Sequence, residues 1–267
     1  MGCPLHLKEI VILKKMRRIT FFFFSAALFF YSPLLHAETL IYFYNPDANL
    51  RDVAQLKSQV QEYFRTIDKD VNLKAFLRLQ DLLTALKTQP PDFLVASSWV
   101  FKNYGANFGL KPLLVGQGTG GRAYYKVLIS KKGLPGGAAP SLSMVGLGEQ
   151  NISNLKSLVP ELKKYLNINI VEVSKDIDAV FAVSFDQVDM ALVHPQNIET
   201  VRKANQSAVT DVKVLAKSTP IDYPIFSATT KAGSALVEKF VKGLQGSKDG
   251  KSIQALNLMG FAGWGVP

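Results

Sequence analysis

From Thr39 onward, short apolar runs alternate with stretches in which apolar positions recur every three or four residues. Thr39–Tyr44 (TLIYFY) is β-branched and aromatic and stops at Asn45-Pro46-Asp47, a turn signal, so it predicts a buried strand. Leu50, Val53, Leu56, Val60, Tyr63, Phe64 and Ile67 then recur at helical steps with charged and amide residues between them, which predicts an amphipathic helix. The alternation continues: Val71–Leu77 reads as a strand, Leu79–Lys87 as a helix, Phe93–Ala96 as a strand, Ser98–Tyr104 as a short segment and Leu110–Val115 as a strand.

A second block repeats the scheme. Strands are expected near Tyr124–Ser130, Met144–Leu147, Ile168–Val173 and Met190–Val193, with helices at Ser153–Leu166, at Asp176–Phe185 and after Pro195. Val212–Leu215 and Ile225–Ala228 are the last strands; an amphipathic helix through Leu236, Phe240 and Leu244 follows, then a shorter helix at Lys251–Leu258 and a glycine-rich tail. Strands separated by helical patterns of this length imply βαβ units on mixed, mostly parallel sheets, here in two α/β lobes with the first joint near Gly121. No internal sequence repeat is visible.

The first residues follow a different logic. Lys14, Lys15, Arg17 and Arg18 precede the apolar run Phe21–Tyr31, and Ser32–Ala37 leads to the polar Glu38-Thr39. A basic region, a short apolar core and a terminal small residue are the marks of a secretory signal peptide, expected to be cleaved after Ala37 and to direct export of the chain. The apolar run is shorter than the roughly 20 residues a membrane span needs.

This changes the reading of the charge. The chain of 267 residues has 31 Lys+Arg against 21 Asp+Glu, a net +10, but residues 1–37 take four of those charges and the single cysteine, Cys3. The remainder carries +6, no cysteine and one histidine, His194. Disulfides, cysteine-based metal sites and a cysteine nucleophile are thereby excluded from the mature chain, and no cofactor or metal is expected. Export also removes nucleic acid as a partner. With no Gly-x-Ser-x-Gly elbow, the pattern points to a protein that is not an enzyme.

The arrangement of charge matters more than its total. No acid occurs from Phe93 to Gly148, while Lys102, Lys111, Arg122, Lys126, Lys131 and Lys132 do. If that stretch lines a cleft, the cleft is positive and suits a small anion. Gly116–Gly121 has the glycine spacing of a dinucleotide site, but strand-like Arg122–Ile129 follows it and no acid appears until Glu149, so it reads as a bend between lobes. Aromatic residues fall at strand ends, where ligands bind in open α/β sheets: Tyr44, Trp99 and Tyr124. Asn151, Ile152 and Ser153 open a helix whose free N–H groups could cap an anion.

Four segments carry a family resemblance: Pro91–Trp99 (PDFLVASSW), Gly121–Ile129 (GRAYYKVLI), Ala179–Val193 (AVFAVSFDQVDMALV) and Val214–Ile221 (VLAKSTPI). In this order they resemble the periplasmic solute-binding proteins of phosphate/phosphite/phosphonate ABC importers, which have the type 2 periplasmic binding fold. The family's Ser/Thr-rich anion loop is replaced here by Gly148–Ser153, with Glu149 beside it. The resemblance implies lobe 1 from 38–121 and 222–267, lobe 2 from 122–221, and a ligand cleft between them. It implies capture of a small anionic, phosphate- or phosphonate-like solute and its delivery to an inner-membrane ABC permease. The alternative reading is a ligand-binding or degenerate-pocket module signalling to a membrane sensor or another periplasmic partner. The expected ligand-binding residues are Tyr44, Ser97, Ser98, Trp99, Tyr124, Asn151, Ile152, Ser153 and His194.

Overall fold

The computed structural model describes residues 38–48, 53–137, 139–145, 152–247 and 249–267. The expected signal peptide and the candidate Asn151 lie outside the described residues. Strand β1 (Thr39–Tyr44), helix α1 (Val53–Arg65), β2 (Val71–Ala75), α2 (Leu79–Thr88), β3 (Phe93–Ala96), α3 (Ser98–Tyr104) and β4 (Lys111–Gln117) form a first run. After the short β5 (Ala123–Tyr124) come β6 (Val127–Ser130), β7 (Ser141–Val145), α4 (Ile152–Leu158), β8 (Asn169–Val173), α5 (Asp176–Ser184), β9 (Met190–Val193), α6 (Pro195–Ala204) and β10 (Lys213–Lys217). The chain closes with β11 (Ile221–Asp222), β12 (Ile225–Ala228), α7 (Ser234–Gly246), α8 (Gly250–Met259) and β13 (Gly263–Gly265).

Among the described residues two large sheets result, ordered β13-β4-β12-β3-β1-β2 and β10-β6-β9-β7-β8, with a two-stranded ribbon of β5 and β11 beside them. In the first, β1 is parallel to β2 and β3, and β12 runs antiparallel to both β3 and β4. In the second, β7 is parallel to β8 and β9, and β6 runs antiparallel to both β9 and β10. Strands β2, β1, β3 and β4 therefore share one direction, as do β8, β7, β9 and β10, and the mostly parallel expectation holds within each sheet. The reversed strand in the middle of each sheet is the one reached after the chain has crossed from the other. The two sheets thus repeat one plan that leaves no trace in the sequence.

Both faces of each sheet are covered, which explains the continuous apolar runs. Along β1, Ile41 and Phe43 pack with α1, α7 and α8 residues such as Phe64, Phe240 and Leu256, while Leu40, Tyr42 and Tyr44 pack with Leu82 and Leu86 of α2. In the second sheet, Val127 and Ile129 face α5 and α6, and Leu128 faces Leu155 of α4.

The elements depart from the expected ones in three informative places. The strand expected over Tyr124–Ser130 is two strands: β5 pairs with β11, and β6 joins the second sheet. The helix expected over Ser153–Leu166 is the short α4 followed by a 3-10 turn at Pro160–Lys164, because Pro160 cannot donate to an α-helical ladder. The glycine-rich tail contains a strand, β13, paired with β4 and carrying Trp264, whose ring packs 4.6 Å from that of Phe261.

Candidate functional site

The parallel strands of both sheets end on a common cavity of about 640 Å³. Its walls come from Asn45–Ala48 after β1, Gly118 and Thr119 after β4, Ser174–Ile177 after β8 and His194 after β9. Tyr124 and Lys126, from the segment joining β5 to β6, line it too. This is where an open α/β sheet exposes the free ends of its strands and the N-termini of its helices. A second cavity of about 350 Å³ shares Asn45, Asp47, Tyr124 and Lys126 with the first and extends past Ser97, Ser98 and Trp99.

Between the cavities stands a cluster that the sequence reading did not assemble. Lys126 is buried, with its side chain 4% exposed, and its Nζ donates to Asp47 Oδ1 at 2.5 Å and to Asp176 Oδ1 at 3.3 Å. The Tyr124 hydroxyl donates to the other Asp47 oxygen, Oδ2, at 2.5 Å. Asp176 Oδ2 accepts the His194 backbone N–H at 2.6 Å and the Asn197 side-chain amide at 3.4 Å.

Local structure places each member. Asp47 sits on a short turn in which Asn45 Oδ1 accepts the Asp47 N–H at 3.2 Å, and the Asn45 side-chain amide donates to the Met259 carbonyl at 2.8 Å. That bond ties the end of β1 to the end of α8, where Gly260 has φ 96°. A Cβ at Gly260 would lie 3.2 Å from the Asn45 amide nitrogen. A side chain at that position would be strained and would press on the turn that carries Asp47. Lys126 is held through its backbone, which donates to Ser218 Oγ at 3.0 Å and accepts from the Ser218 N–H at 2.9 Å. His194 caps α6: its Nδ1 accepts the Gln196 N–H at 3.2 Å, and Pro195 occupies the first helical position. With Nδ1 accepting, a neutral ring carries its proton on Nε2.

Burial lowers the Lys126 pKa, but Asp47 and Asp176 outweigh it and hold the pKa above the ordinary lysine range. Burial likewise works against the Asp47 carboxylate; Lys126 and the Tyr124 hydroxyl overcome it and keep its pKa below the usual value. Burial, reinforced by Asp47, pushes the Tyr124 hydroxyl well above its ordinary value. For His194 burial is the leading effect and lowers its pKa, so the ring is neutral near pH 7.

The expected positive cleft does not materialise. Four of the five lysines of the acid-free stretch find carboxylates from outside it: Lys126 pairs with Asp47 and Asp176, Lys102 with Asp222 at 2.8 Å, and Lys131 and Lys132 with Asp186 at 2.7 and 3.1 Å. A stretch without acids in sequence is not one without acids in space. Asp47, Lys126 and Asp176 together carry one net negative charge.

The residues expected to bind ligand divide into groups. Tyr124 lines both cavities, and His194 lines the larger one with its ring centroid 6.1 Å from that of Tyr124. Ser97, Ser98 and Trp99 line the smaller; Ser97 Oγ accepts the Val100 N–H as the cap of α3, and Ser98 Oγ donates to the Asp222 carbonyl at 2.8 Å. Tyr44 lines neither cavity and is 2% exposed within the apolar cluster behind β1, because the strand alternation that turns Ile41 and Phe43 one way turns Tyr44 the other. Ile152 and Ser153 begin α4. Asp47, Lys126, Asp176 and Tyr223 were missed; the Tyr223 ring lies 5.0 Å from that of Tyr124. A lone lysine inside the apolar run Tyr124–Ile129 was the available signal, since a buried cation requires an acid.

The family model for the periplasmic substrate-binding protein of phosphonate ABC transporters matches residues 40–265. The chain belongs to that family. Its members bind substrate for transport and are not enzymes, and the family's compartment is the periplasm. Solved structures agree in fold. A binding-protein component of an ABC phosphonate transporter from Pseudomonas aeruginosa superposes with a TM-score of 0.60 at 12% identity, over 85% of this chain and 80% of that one. PhnD1 from Prochlorococcus marinus, in complex with methylphosphonate, gives 0.64 at 9% identity over 86% and 93%. XAC2383 from Xanthomonas citri, bound to chloride, gives 0.63 at 13% over 85% and 90%. A search of curated protein sequences finds no match. This member of the phosphonate-binding family is thus a solute-binding protein with the two-sheet architecture of its relatives.

Proposed function

We propose that this protein, exported by a signal peptide cleaved after Ala37, captures a small oxyanion of the phosphonate or phosphate class between two lobes and delivers it to an inner-membrane ABC permease. Lobe 1 comprises residues 38–121 and 222–267, and lobe 2 residues 122–221. The observation that carries the reading is the cavity of about 640 Å³, walled by strand ends from both sheets, which is the space a two-lobed protein closes on its ligand. The paired β5 and β11, each lying between one sheet and the other, form the hinge about which closure occurs. Lys126, the Tyr124 hydroxyl and the His194 ring supply the donors, and Ser97 and Ser98 contribute polar groups from the adjoining cavity. Closure couples capture to the permease, because only the ligand-bound shape matches it.

Differential scanning fluorimetry with methylphosphonate, phosphate, phosphite, sulfate and small carboxylic acids tests this. A solute that binds only the folded protein stabilises it by about 2.7 kcal/mol at one hundred times its Kd. A raised melting temperature with a phosphonate or phosphate is the expected result; a response to none of the panel removes the oxyanion reading.

A further inference from the structure

We propose that Asp47 is a resident competitor for the cleft's own anion site, occupying the donors that a bound oxyanion uses and leaving them when ligand enters. The inference rests on the oxyanion reading above and deepens it. Two residues that line both cavities, Lys126 through Nζ and Tyr124 through its hydroxyl, donate to the two separate oxygens of one carboxylate, each at 2.5 Å. That is the arrangement two oxygens of a phosphonate or phosphate would accept. The single Tyr124 O–H is already given to Asp47, so a ligand that accepts from Tyr124 and Lys126 together takes the place of Asp47.

The two carboxylates on Lys126 are not equivalent. Asp176 is 8% exposed in its side chain and is tied by the His194 N–H and the Asn197 amide as well as by Lys126. Asp47 is 26% exposed, on a turn that borders both cavities. Asp47 is therefore the one free to move. When it does, Lys126 keeps Asp176 as its counter-charge, so no buried cation is left alone. A monoanion exchanging for Asp47 leaves the net charge of the cluster at one negative; the same anion added beside Asp47 would double it in a partly buried space. Asp47 lines both the 640 Å³ cavity and the 350 Å³ one, so a ligand in either can reach it. The consequence is a cleft that binds weakly to any solute unable to outcompete a carboxylate, which sets a threshold of selectivity.

Isothermal titration of methylphosphonate and of inorganic phosphate into the wild-type protein, Asp47→Asn and Asp47→Ala tests the proposal, with melting curves to verify that each variant is folded. Asp47→Asn removes the competing charge while keeping the shape, and the expected result is a Kd lowered about tenfold or more for at least one of the two anions. Asp47→Ala, which also clears the space, should bind at least as well and serves if the Asn variant does not fold. Equal affinity in wild type and variants would overturn the competitor role while leaving the oxyanion reading intact. Weaker binding by the folded variants would show Asp47 to be a ligand contact and would equally overturn it. Absence of binding by all three proteins defeats the oxyanion reading, and this inference with it.

Discussion

Lys126 and Lys131 lie at the two ends of the same short strand, and each pairs with aspartate contributed from far along the chain, yet their settings are opposite. Lys126 is buried between Asp47 and Asp176 on the wall shared by the two cavities. Lys131 shares Asp186 with Lys132 on the surface, where Asp186 is 47% exposed. In the first case a cation cut off from water depends on its two carboxylates; in the second, water and salt share in solvating the charges. The same chemical pair is a structural commitment at one end of β6 and a minor surface feature at the other.

Substitutions can break this contrast. Lys126→Met leaves Asp47 and Asp176 facing each other without a cation and should cost about 3–5 kcal/mol in urea denaturation; a loss below about 1 kcal/mol would put the two clusters on one footing. Asp176→Asn removes the better-tied carboxylate but leaves Asp47 on Lys126, so a smaller cost of about 1.5–3 kcal/mol is expected from its charged hydrogen bonds. Next in size is a pH effect at His194. Its folded pKa is depressed, so the unfolded chain takes up the proton first, and stability present above pH about 6.5 declines as the pH falls through the folded value. Denaturation midpoints at pH 7.5 and 5.5, compared between wild type and His194→Gln, should show a shallower decline in the variant. By the same reasoning Asp47, with a depressed pKa, loses its contribution only under more acidic conditions, and Lys126, with a raised one, only above the ordinary lysine range. The smallest effect is expected from Lys132→Met, 82% exposed in its side chain, whose melting temperature should match wild type within error at high salt, where surface pairs are screened.

Much of the scaffold was legible because apolar spacing encodes it directly. Strands Thr39–Tyr44, Phe93–Ala96, Met190–Val193 and Ile225–Ala228 have the bounds that their composition suggests. The break at Tyr125-Lys126 was not legible, because both halves of Tyr124–Ser130 are strand-forming and only the change of partner, from β11 to the second sheet, divides them. At the site, Tyr124 and His194 were visible as an aromatic residue and an imidazole near strand ends. Asp47 read as part of a turn and Asp176 as the opening of a helix; both descriptions are correct locally. What joins them is Lys126, and the pairing spans sequence distances that no local pattern records. Tyr44 shows the converse, since a strand-end aromatic satisfies the rule for a cleft while alternation turns it into the core.

The reversed strand at the middle of the first sheet has a consequence for how the chain acquires its shape. Ile225–Ala228 is inserted between Phe93–Ala96 and Lys111–Gln117, so those two segments cannot be bridged until the last part of the polypeptide arrives. Their pairing closes very long loops, which makes for slow formation of the native state. The amino-terminal half, though it contains most of one sheet, therefore has no complete sheet of its own to fold into while the remainder is still being made. A chain built this way stays open until its last third has been made.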